Sequence, residues 1–96
     1  MDFRDLKYFV AIAEEEHLGK AAEKLFKTQP ALTKAVDRLE EQLGAELFER
    51  VGRGIRLTDV GQTLLVRARQ IVFMLDDTAR EIGDFAQGRG GSIRLG

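Results

Sequence analysis

The sequence predicts a mainly α chain: three short helices and a two-stranded hairpin, followed by one long helix. Three observations carry this. Residues 28–43, TQPALTKAVDRLEEQL, hold apolar side chains at helical spacing between a capping Thr28 and a stopping Gly44. Residues 46–57 alternate and turn on two glycines, as a hairpin does. Residues 60–87 contain no proline and repeat apolar positions at alternating spacings of four and three, a heptad seam.

The first helix spans residues 3–16. Asp2 is its expected N-cap, and Leu6, Phe9, Val10 and Ala13 follow the i, i+3, i+4, i+7 pattern. Phe3, Tyr8 and Ile12 widen the apolar surface, so contact on two sides is expected. Glu14, Glu15 and Glu16 lie at the negative pole of that helix and read as a solvated end where it stops. His17-Leu18-Gly19 is read as a short turn, with Gly19 standing where a side-chain cap would be expected. The second helix is expected over residues 20–26, built on Ala21, Ala22, Leu25 and Phe26.

Lys27-Thr28-Gln29 joins it to the third helix. Pro30 sits in the first turn, where a missing N–H costs nothing. Leu32, Val36, Leu39 and Leu43 mark the buried stripe. The exposed N-terminal half then offers Gln29, Pro30, Ala31, Thr33, Lys34 and Arg38, a small, amide-bearing and basic set that suits a base-pair edge. The other end, with Glu40, Glu41 and Glu46, is acidic and does not. A helix usable only at its first turns fits end-first insertion into a major groove; an ordinary amphipathic helix with a solvated polar face is the plainer alternative. Two short helices so tightly joined make a helix-turn-helix. Residues 46–50 and 55–57 then form a two-stranded wing with Arg53 at its tip, so the whole reads as a winged helix-turn-helix followed by a long linker helix.

Thr58 caps that long helix, with Asp59 in its first turn. At 1.5 Å per residue it runs for ~40–45 Å. Leu64, Ala68, Ile71, Leu75, Ile82 and Phe85 lie on its seam, and Leu65, Val72 and Ala79 run beside it. So wide a stripe outruns a small domain and is expected to pair with a second copy. Gly88 to Ser92 is a linker by composition, and residues 92–96 begin like a strand. The expected organisation is therefore a DNA-binding domain over 1–58, a linker and dimerisation helix over 59–88, and over 89–96 a hinge and the start of a further domain.

Composition narrows the function classes. The 96 residues contain no cysteine and one histidine, which excludes a disulfide framework, a cysteine-based zinc site and a thiol nucleophile, and leaves no metal site in view. No apolar run approaches ~18 residues and the charged N-terminus is not a signal peptide, so a cytoplasmic protein without membrane contact is expected. The net charge is −1, but residues 17–38 carry five cations against two acids, and residues 50–57 carry Arg50, Arg53 and Arg56 and no acid. A local basic face matters more to phosphate binding than the total does. Lys20, Thr28 and Arg50, at the flanks of the third helix, are expected on phosphates, as are Lys27 and Arg38. No Ser–His–Asp set, paired carboxylates or phosphate-cradling loop is present to suggest an enzyme. A protein-interaction module is the competing class; a steep fall of binding with salt separates it from DNA binding.

In residues as well as order, the chain resembles the N-terminal part of LysR-type transcriptional regulators. LKYFVAIAEE (6–15), AAEKL (21–25), TQPALTKAVDRLEEQLGAELFER (28–50) and GIRLTDVGQTLL (54–65) carry the resemblance, which spans nearly the whole chain. It implies a sequence-specific double-stranded DNA-binding function, no enzyme activity and no cofactor in these residues. It also implies a homodimer joined antiparallel through the linker helix on an inverted-repeat promoter site, with a tetramer open to the full-length protein. A small-molecule effector would be bound by a separate domain after the hinge. By position, the family's recognition-helix contacts fall on Gln29, Pro30, Thr33 and Lys34, and its wing contact on Arg53. Two departures stand out. Family members usually cap the second helix with Ser or Thr where this chain has Leu18-Gly19. They often carry arginine where Lys34 stands, and lysine lacks the planar fork that grips guanine.

Overall fold

The computed structural model describes residues 1–87. The hinge and strand expected beyond residue 87 lie outside the described residues. Six elements follow in order: α1 (Phe3–Glu15), α2 (Leu18–Leu25), α3 (Gln29–Leu43), β1 (Phe48–Val51), β2 (Gly54–Leu57) and α4 (Asp59–Ala86).

Each helix starts on a side chain that satisfies an orphan backbone donor. Asp2 accepts from the Arg4 N–H at 2.8 Å, Thr28 from Ala31 at 3.2 Å and Thr58 from Gly61 at 3.0 Å. The second helix departs from expectation. It begins two residues early, at Leu18, because His17 is its cap: Nδ1 accepts from the Lys20 N–H at 3.0 Å. Histidine is an uncommon cap, so its spacing in the sequence did not declare it.

α2 also ends earlier than expected. Phe26 is not a core residue but the left-handed C-cap, at φ 58°, and is 93% exposed. Leu43, assigned to the buried stripe of α3, is exposed too, and Ala35 is buried in the stripe instead. The wing is tighter than read. β1 starts at Phe48, and the turn is the two residues Gly52 and Arg53, with Gly52 at φ 59°. A glycine there supplies the positive φ that matches the twist of the strands.

α1 lies at the centre and packs against α2, α3 and α4. On one side, Ile12 meets Ala21, Ala22, Leu32 and Val36 beneath the helix-turn-helix. On the other, Leu6 and Phe9 meet Leu39, Leu47 and Ala68. The rings of Phe9 and Phe48 tilt together at 5.3 Å, tying the wing to the core. Ala68 is therefore corrected: it is fully buried inside its own chain, and so is no free dimerisation residue. Leu64 and Leu65 are half-buried against the same cluster.

The junction of wing and α4 depends on one glycine. The Thr58 N–H donates to the Leu47 carbonyl at 3.0 Å, and the Thr58 hydroxyl to the Glu46 carbonyl at 2.6 Å. These bonds bring the first turn of α4 onto residue 47, and a Cβ on buried Gly61 would run into the Leu47 carbonyl and the Leu57 side chain. Beyond Ala68 the helix leaves the domain. Ile71, Leu75, Ile82 and Phe85 are between 39% and 59% exposed, and Phe73 and Met74 more so.

Candidate nucleic-acid interface

The first turns of α3 stand clear of the domain. Gln29, Pro30, Thr33 and Lys34 are all exposed and line one open trough, closed on one side by Leu18 of α2 and ended by Asp37. Thr28 and Pro30 fix the entry of the chain into the helix; Pro30 has no N–H and the Thr28 hydroxyl takes that of Ala31, so the two donors left, on Thr28 and Gln29, belong to the same end. A second groove joins this end to the wing: Gln29, Arg50 and Arg53 share its walls with His17 and Gly19. The base-reading and wing residues expected from the sequence are thus brought onto one face. Lys20 and Lys27 lie on a third open surface, which also includes Gln29.

Gly19 matters to this face by what it lacks. A Cβ there would come within 3.0 Å of the His17 ring and 3.3 Å of the Gln29 side-chain nitrogen. The imidazole and the amide therefore close over a bare backbone. The sequence reads His17 as a turn residue; the structure makes it both the cap of α2 and a wall of the groove.

The electrostatics are more selective than the count of cations. Lys24 pairs with Glu15 at 3.4 Å, and Arg56 with Glu49 across the hairpin at 3.6 Å. Glu14, read as solvated, holds Arg69 of α4 at 3.1 Å. Among the described residues, Lys20, Lys27, Lys34, Arg50 and Arg53 make no ion pair. All five lie on or beside the face described above.

Arg38, a phosphate candidate, is also paired within its own chain. Its Nε and Nη2 donate to the two carboxylate oxygens of Asp5 at 3.0 and 2.8 Å, and Asp5 is only 1% exposed. That hydrogen bonding pushes the Arg38 guanidinium above its ordinary pKa, against a smaller opposing effect of burial. The pair pins α3 to α1 and occupies two of the five donors of Arg38. Nothing local in the sequence announces a partner 33 residues away. One signal was readable: Asp5 precedes Phe9 by four and Ile12 by seven, so it falls on the apolar stripe of α1.

The family model for bacterial regulatory helix-turn-helix proteins of the lysR family matches residues 3–62. The chain belongs to this family. The chain is similar to several HTH-type transcriptional regulators. It is 43% identical over 96 residues to the HTH-type transcriptional regulator YnfL of Escherichia coli K12, covering 100% of this chain and 32% of YnfL. It is 41% identical over 95 residues to the regulator TfdT of Cupriavidus pinatubonensis, covering 99% of this chain and 42% of TfdT. The chain thus spans well under half of either relative. Among solved structures, the BenM_DBD/catB site 1 DNA complex superposes with a TM-score of 0.85 at 36% identity, over 92% of this chain and 98% of that one. The CbnR_DBD–DNA complex gives 0.81 at 40% identity, over 90% and 99%. No helix among the described residues is long and apolar enough to cross a membrane. No group of His, Cys, Asp and Glu side chains among them is placed to hold a metal ion.

Proposed function

We propose that this LysR-type domain binds double-stranded DNA sequence-specifically, as one half of a dimer on an inverted-repeat promoter site. The observation that carries the reading is the exposed start of α3, where Gln29, Pro30, Thr33 and Lys34 share one trough beside the Arg50–Arg53 edge of the wing. That end enters the major groove. Gln29 and Lys34 meet base edges, and Pro30 and Thr33 offer apolar and hydroxyl contacts beside them. Lys20, Lys27, Thr28 and Arg50 flank the helix and take phosphates. Arg53, on a two-residue turn with glycines on either side, reaches the neighbouring minor groove.

The dimer reading rests on the outer part of α4. Ile71, Leu75, Ala79, Ile82 and Phe85 form an exposed apolar face with half-buried Val72 beside it, and Leu64 and Leu65 extend it at the edge of the domain. Each fully covered Leu or Ile is worth roughly 1.5–3 kcal/mol, and several such pairs offset an association cost on the order of 4–15 kcal/mol. An antiparallel pairing brings Arg67 near Asp76, Asp77, Glu81 and Asp84 of the second copy. Arg69 contributes less than the sequence suggested, since Glu14 of its own chain already holds it. A small-molecule effector, bound by a further domain of the whole protein, and a cytoplasmic location complete the proposal.

Selection from a random-sequence duplex library, followed by footprinting of the winning duplexes, tests it. The expected result is two related half-sites in inverted orientation, with protection that fades steeply as salt rises. Recovery of no preferred sequence would refute specific recognition, and single half-sites bound by monomers would refute the dimer.

A further inference from the structure

Phe26 is placed in a way that the fold does not require. It ends α2 in the left-handed region, at φ 58° and ψ 43°. The Phe26 N–H donates to the Glu23 carbonyl at 3.2 Å, and the Lys27 N–H to the Ala22 carbonyl at 2.9 Å, so the backbone of the turn enforces that conformation. Glycine or asparagine meets this demand at little cost, whereas a bulky side chain is strained there. Burial does not compensate, because the residue is 93% exposed. A large apolar ring held out from the protein on a strained backbone gives nothing to the monomer.

Its surroundings say what could use it. The ring shares an open surface with Lys20, Lys27 and Gln29; Glu23 is the one acid there. Neither lysine has an ion-pair partner among the described residues. Gln29 opens α3 three positions later. We infer that Phe26 is a DNA-backbone contact, its ring lying against the deoxyribose edge of the strand whose phosphates Lys20 and Lys27 take. The inference rests on the docking of α3 proposed above. Phosphates alternate with sugars along a strand, and the sugar is the apolar unit of that repeat. An aromatic plate flanked by two ammonium groups matches the alternation. The ring lies beside the leading residues of α3 rather than among them, so its contact is to backbone and carries no sequence preference. It also displaces no counterion, so it adds affinity without adding salt dependence.

The test compares the unmutated 96-residue chain with Phe26→Asn, Lys27→Ala and Gln29→Ala. Each is titrated across a salt series onto a half-site duplex from the selection and onto a scrambled duplex of equal length, and each is melted without DNA. Phe26→Asn is expected to melt ~4–8 °C higher, since asparagine relieves the left-handed strain of the turn. It should bind both duplexes about five-fold more weakly, the effect of partial burial of one aromatic ring, with an unchanged slope of log affinity against log salt. Lys27→Ala should instead flatten that slope by about 0.9. Affinity unchanged in Phe26→Asn while Lys27→Ala weakens binding would overturn the inference and leave the ring to some other surface, such as a protein. A lower melting temperature for Phe26→Asn would overturn it as well, because the ring would then be a packing group. If Gln29→Ala leaves selectivity between the two duplexes intact, the docking of α3 itself has failed, which is a separate result.

Discussion

Two glycines of α4 make the same substitution run in opposite directions. Alanine is favoured over glycine in a helix interior by ~0.8–1.0 kcal/mol, so Gly→Ala in α4 should stabilise wherever there is room. At Gly83 nothing lies within 4 Å of the added methyl, and the full gain is expected. At Gly61 the methyl would meet the Leu47 carbonyl, which is backbone and cannot swing aside. Overpacking of this kind costs about 1–3 kcal/mol. Relief by moving α4 away would also break the Thr58–Leu47 and Thr58–Glu46 hydrogen bonds. Their loss adds about 1 kcal/mol, the net worth of an ordinary hydrogen bond. Against the propensity gain, Gly61→Ala should come out about 2 kcal/mol less stable. For a domain of this size that is a fall in melting temperature of roughly 8–16 °C. Thermal melts followed by far-UV circular dichroism measure it, with urea midpoints as a second reading. Gly61→Ala melting at or above the unmutated chain would refute the account of how the wing and α4 are joined.

The recognition face gives further expectations. Gln29→Ala should cost ~1–3 kcal/mol on the preferred site and relax the preference at one position, as read by competition binding; Lys20→Ala should weaken all sequences alike. Arg53→Ala should reduce any preference for A·T-rich flanks, where a narrow minor groove attracts arginine; equal binding of the unmutated chain to A·T-rich and G·C-rich flanks would count against a wing contact there. Leu75→Asp, midway along the exposed face of α4, should give folded monomers in sedimentation that bind a full site much more weakly, because the second half-site loses its effective concentration. Arg38→Met should lower the urea midpoint by stranding the buried Asp5 carboxylate, and adding Asp5→Leu should restore much of the loss; a double variant as unstable as the single one would show that the pair is not what links these positions.

Much of the fold could be read because its signals are local. Thr28, Pro30 and Gly44 punctuate α3 within one segment, Asp2 and Thr58 cap their helices in the usual way, and Gly52 marks the hairpin turn. The recognition residues follow from α3 alone, since its stripe decides which side chains are left outside. What stayed hidden depends on partners distant in sequence or on backbone angle. Ala68 fits the heptad seam as well as it fits the core, and only the crossing of α4 over α1 decides between them. Arg38 looks like a free cation until Asp5 comes beneath it. Phe26 has the composition of a core residue, and only its positive φ turns the ring outward.

α4 is built into the domain at one end and stands free at the other. Ala68 is sealed beneath α1, and Arg69 is clamped to Glu14, so the helix cannot pivot at its exit without carrying α1 along. α1 in turn grips α3 through the Asp5–Arg38 fork. The free arm beyond residue 68 is 18 residues, or ~27 Å at 1.5 Å per residue. It therefore works as a crank. A tilt of about 10° at the exit sweeps its tip through ~5 Å, more than the ~3.4 Å between successive phosphates along the duplex axis. A rotation imposed on the far end would meet α1 at Ala68, and through α1 the Asp5–Arg38 fork that holds α3.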